Sequence, residues 1–158
     1  MNKWDEYKQR KESQKYFRSQ YDQFLSKDQW IKTITYGLLG SVVLGIIYGF
    51  ISMNLAFDSS LFYIVIGIAI ANILTSTSGV SSQQIGIASA LLTLLSFYIS
   101  YITIIVYSSM SIGLGLFSIG SILYFAGYYL VSQDLIGLIF IIIGLIVAYQ
   151  QGSSERFM

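Results

Sequence analysis

The 158 residues have a mean hydropathy of +0.65, with 54% hydrophobic and 11% charged, against roughly 25% charged in a soluble domain. Eight Lys/Arg and five Asp/Glu fall in residues 1–32, while residues 33–154 hold only Asp58 and Asp134. A soluble fold would leave that stretch with an apolar surface, so lipid is the solvent that suits it; the absence of Cys and His also excludes disulfides, thiolate nucleophiles, thiolate or imidazole metal sites and every histidine base.

Residues 1–26 read as a cytosolic or interfacial amphipathic helix. Phe17, Tyr21, Phe24 and Leu25 share one face at i, i+4, i+7 and i+8, behind an earlier aromatic pair, Trp4 and Tyr7. Such a helix packs on its own bundle, lies on an anionic leaflet with its lysines at the headgroups, or docks a partner protein.

The transmembrane region is expected over residues 27–152. Ser26-Lys27-Asp28-Gln29 fits a capping box, with Leu25 and Trp30 as its hydrophobic staple. Span 1 follows over about 33–57, and Lys27 and Lys32 set its N-terminal end inside by the positive-inside rule. A start this late suits a retained signal anchor rather than a cleaved signal peptide. Asp58-Ser59-Ser60 forms an outside turn, and span 2 covers 61–78 at the lower limit of spanning length. An uncharged loop ends in a second capping box, Ser81 to Gln84, ahead of span 3 at 82–107. Two further apolar runs, 112–131 and 135–150, flank a polar break at Ser132-Gln133-Asp134. Gly113-Leu114-Gly115 offers a place for a broken helix, Gly152 a C-cap, and 153–158 a polar tail. Five spans are favoured, with the C-terminus outside; a re-entrant pair would give four and bring Arg156 inside.

Two stripes give the spans faces. In span 1, Gly37, Ser41, Gly45 and Gly49 recur every four residues, the small-xxx-small pattern that lets helix backbones approach in lipid. Gly67, Ala71 and Thr75 repeat it in span 2, and Gly144 and Ala148 in the last span. In span 3, Ser82, Gly86, Ser89, Thr93, Ser96, Ser100, Thr103 and Tyr107 alternate four- and three-residue steps, so all eight share one side of a helix. Read as structure, this is a seam of hydroxyls bonded across helices or to their own carbonyls. Read as function, it is a path for a neutral solute. Asn72 either joins span 2 to that seam or reads a ligand. The tyrosines suit interface belts, with Tyr98, Tyr101, Tyr107, Tyr124, Tyr128 and Tyr129 gathered at the ends of spans 3 and 4.

No ionisable residue falls at membrane depth, as ion-coupled transporters and proton relays need. No Ser–His, Ser–Lys, paired-Asp or metal arrangement for intramembrane proteolysis can be assembled, and no phosphate loop occurs. No enzyme, cofactor or nucleic-acid partner is expected.

The passage IGIAIANILTSTSGVSSQQIGIASALLTLLSFYIS, from Ile66 to Ser100, and the ending DLIGLIFIIIGLIVAYQ resemble a loosely related group of small uncharacterised prokaryotic multi-pass membrane proteins, over about residues 62–150. That resemblance implies a Gly/Ala-rich helix, a Gly/Ser loop and a helix opening near a Gln. Some members carry an N-terminal zinc ribbon and a basic central loop. This chain has no Cys and an uncharged loop, so neither transfers.

The expected protein is an all-α polytopic bundle in the cell membrane, N-terminus cytoplasmic. Its function is read as that of a non-enzymatic accessory, regulatory or immunity-type component that packs helices and docks a partner, with a second copy or another membrane protein as that partner. The alternative is a small channel or carrier for a neutral solute, lined by the span 3 hydroxyls.

Overall fold

In a hydrocarbon solvent every backbone N–H and C=O must be answered within the chain, and a helix does this within one segment. The structure, a computed structural model, describes residues 26–54, 61–111 and 118–153. Five helices fill almost all of them: α1 (Lys27–Asn54), α2 (Leu61–Ser78), α3 (Gln83–Ser111), α4 (Ile119–Val131) and α5 (Leu135–Ser153). No strand occurs among the described residues. The amphipathic helix expected before Ser26, the turn at 58–60, the Gly113–Gly115 break and the tail from 154 onward lie outside them.

Four helices, α1, α2, α3 and α5, are long and apolar enough to cross a membrane. Among the described residues the fourth hydrophobic segment contributes the 13-residue α4, about 20 Å long at 1.5 Å per residue, against ~30 Å of hydrocarbon.

Helix directions follow from which residues meet. Gly37, Gly45 and Gly49 of α1 lie against Leu92, Ser96 and Thr103 of α3, so α1 and α3 run parallel. Gly86 of α3 lies against Tyr149 and Ser153, and Phe97 against Gly144, so α5 runs antiparallel to α3. Five crossings would have made those two helices parallel. The favoured five-span reading is therefore corrected: the chain leaves α3 at one end of the bundle, forms α4, and enters α5 from that same end. Lys27 and Ser153 consequently share one end, and Asp134 stands at the other.

Local signals account for most helix ends. The Ser26 hydroxyl accepts from Gln29 N–H (3.3 Å) while the Gln29 side chain accepts from Ser26 N–H (3.2 Å), a reciprocal capping box. At α3 the cap falls one residue later than the Ser81–Gln84 reading: Ser82 accepts from Ile85 N–H at 3.3 Å. Ser118 caps α4 through Ser121 N–H, and the Asp134 carboxylate caps α5 through Gly137 N–H at 2.9 Å. Gly79 closes α2 with φ +68°, its N–H donating to Thr75 C=O. Gly152 is not the C-cap expected of it. The helix runs on to Ser153, and Gly152 is buried against Gly86.

Candidate functional site

The bundle is built around α3, which touches every other helix. Its inward face carries Ser89, Thr93, Ser96 and Ser100, all fully buried. The inward face of α1 carries Thr33, Gly37, Ser41, Gly45 and Gly49, also buried. The structure brings these two stripes together. A Cβ on Gly45 would stand 2.6 Å from the Ser96 carbonyl oxygen, and one on Gly49 would stand 2.7 Å from Thr103 Cβ. Only glycine lets the backbones come this close, and in lipid that contact replaces the hydrophobic drive water would supply.

A second close seam joins α5 to α2 and α3. A Cβ on Gly67 would meet the Gly144 carbonyl at 2.5 Å, and one on Gly86 would meet the Tyr149 carbonyl at 2.8 Å. Small residues on four helices thus all face the interior.

Most of the seam hydroxyls are satisfied within their own helix. Ser89 donates to Ile85 C=O (2.8 Å), Thr93 to Ser89 C=O (2.7 Å), Ser100 to Phe97 C=O (2.7 Å) and Thr103 to Ile99 C=O (3.0 Å). Ser41 on the facing helix donates to Leu38 C=O at 2.8 Å. A serine or threonine that bonds back in this way presents its methylene or methyl to its neighbour. The buried Ser96 and Thr33 hydroxyls have no hydrogen-bond partner among the described residues. At the far end the face opens: Thr103 is half-buried and Tyr107 is 45% exposed, edge-on to Phe50.

Asn72 is not part of this seam. It is exposed, and its carbonyl oxygen accepts from the Gln151 amide of α5 at 3.4 Å. Position 72 falls one residue beyond Ala71 on the α2 helix, and that 100° step turns it from the buried face to the outside.

A polar cluster the stripes did not announce sits toward the Asp134 end. The Tyr63 and Tyr101 hydroxyls are 2.7 Å apart in the core. Tyr48 crosses Tyr63 edge-on at 5.4 Å, and Phe97 packs on Tyr63 at 4.7 Å. The signal was present: Tyr48 stands three residues after Gly45, Tyr63 four before Gly67, and Tyr101 eight after Thr93. Each continues a small-residue face. Tyr98 instead holds α4, donating to Leu123 C=O at 2.9 Å. Tyr124, Tyr128 and Tyr129 on α4 are at least half exposed.

Among the described residues no group of three or more His, Cys, Asp or Glu converges. What the core offers is hydroxyls, carbonyls and close backbone contact. The chain matches no protein-family model, no curated protein and no solved structure. Its geometry is therefore the whole basis for a functional reading.

Proposed function

We propose that this chain is a non-enzymatic component of the cell membrane, accessory, regulatory or immunity-type, that works through helix packing and the docking of a partner. One observation carries the reading: most hydroxyls of the longest interior stripe, those of Ser89, Thr93 and Ser100 among them, are spent on their own helix, with the glycines of α1 closed over that face. Catalysis and solute recognition both need polar groups that remain free to meet a substrate.

The orientation belongs to the same proposal. Lys27 and Lys32 stand at the end shared by Ser153, and Asp134 stands at the other, a bias that favours the Lys27 end inside. With no native Cys, Lys27→Cys and Gln133→Cys can be probed with a membrane-impermeant maleimide. Labelling of position 133 alone from outside is expected, and labelling of position 27 alone would invert the orientation.

The rival reading, a channel or carrier for a neutral solute, draws on the unpartnered Ser96 hydroxyl and on the tyrosine cluster. Cross-linking in native membranes followed by mild extraction separates the two. A stoichiometric partner protein other than this chain, lost when residues 2–24 are deleted, supports docking. A partner-free chain that conducts a neutral solute in liposomes, and ceases to when Ser96 and Ser100 become Ala, would replace it with the rival.

A further inference from the structure

We propose that the outer face of α2 beside α5 is a self-association surface, on which a second copy of this chain packs with Asn72 opposite Asn72 across a two-fold axis. α2 has 18 residues, about 27 Å of helix, barely the thickness of the hydrocarbon. Asn72 lies six residues from its Ser78 end, about 9 Å along the helix, within the segment long and apolar enough to cross a membrane. Yet it is exposed. A side-chain amide has two N–H donors and two acceptor sites, and here one long bond from Gln151 answers one acceptor. The two donors meet no acceptor among the described residues. Lipid tails supply none, and an amide so placed costs free energy until a partner answers it.

The face around it fits a helix. Val65 and Ile68, 57% and 38% exposed, precede Asn72 at i−7 and i−4, and exposed Ser76 follows at i+4. That is one continuous strip rather than a scattered set. The occupant is a second copy because an amide is both donor and acceptor. Two copies of Asn72 satisfy each other, and a two-fold contact of one patch with itself is the commonest way subunits associate. The inference needs only that the bundle lies in a membrane and does not depend on the docking reading above.

The test uses the purified full-length chain in phosphatidylcholine vesicles, with single-molecule photobleaching over a range of lipid dilutions. A monomer–dimer equilibrium is expected. Asn72→Leu should weaken it roughly tenfold, or about 1.4 kcal/mol, while Asn72→Gln should retain it. Oxidation of Ile68→Cys, in a chain without other Cys, should give a covalent dimer, and Val43→Cys on the exposed side of α1 should not. The Cys arm leaves Asn72 intact, so a folding defect in the Leu variant cannot decide the outcome. A chain that stays monomeric at every dilution, or that cross-links through Val43→Cys and not Ile68→Cys, overturns the proposal.

Discussion

α3 and α4 are both apolar helices of one chain, and they behave oppositely. α3 buries ten residues, six of them Ser, Thr or Gly, whereas α4 buries only Ala126. On α4 the large residues face outward: Ile119, Tyr124 and Val131 are 79%, 69% and 71% exposed. Hydrophobicity therefore puts a helix in this membrane without saying what it packs against. Lipid is as apolar as leucine, so association follows small residues and close backbone approach. α4 has two glycines, but no described residue stands within 4 Å of a Cβ on Gly120, and among the described residues only a Tyr98 ring carbon, at 3.8 Å, stands near one on Gly127.

The largest break in this contrast should come at Gly67. Leu there would overlap the backbone at Gly144 and should destabilise the bundle by about 3 kcal/mol, as overpacking does. Gly120→Leu on α4 should stay within about 0.5 kcal/mol. Steric-trap unfolding in bicelles reads both, and equal losses would erase the distinction between the two helices.

The tyrosines sharpen it next. Tyr63→Phe removes a buried hydroxyl pair and should cost about 1 kcal/mol, while Tyr124→Phe on α4 should cost nothing measurable by the same method. A null result for Tyr63→Phe would make the core tyrosines mere filler.

Smaller still are the seam hydroxyls. Ser89 and Thr93 bond their own helix, so Ser89→Ala and Thr93→Val should each change stability by no more than about 0.6 kcal/mol. Gly40→Ala gives a comparison within α1: its Cβ would meet only the Ile73 side chain, closest at the flexible Cδ1, and should be tolerated. A large loss for Ser89→Ala would mean that its hydroxyl bonds across helices.

Much of this was legible in the residues. The glycine and hydroxyl periods placed Gly45 and Ser96 on interior faces, because spacing fixes which residues share a side. Ser26 and Gln29 marked a helix start through a local bond that needs no tertiary context. Other features were not legible, since they depend on the neighbouring helix. Asn72 sits within a stripe-bearing span but one step off its face, and nothing local says which face α5 will cover. Gly152 reads as a C-cap by position, yet it is a contact residue because Gly86 lies opposite. The direction of α5 was hidden too, because apolar runs carry no arrow and the run over 112–131 is long enough in sequence to have crossed.

That interior packing rests on backbone contact is tested most directly by one pair of variants, Gly45→Ala and Gly120→Ala, compared by steric-trap unfolding. Alanine is the better helix former by roughly 0.5–1 kcal/mol, so in the absence of tertiary contact both changes should stabilise. A Cβ at Gly45 would stand 2.6 Å from a backbone oxygen, whereas one at Gly120 meets no described residue within 4 Å. The expected result is opposite signs, Gly45→Ala destabilising and Gly120→Ala neutral or stabilising. Stabilisation by both would contradict the seam between α1 and α3.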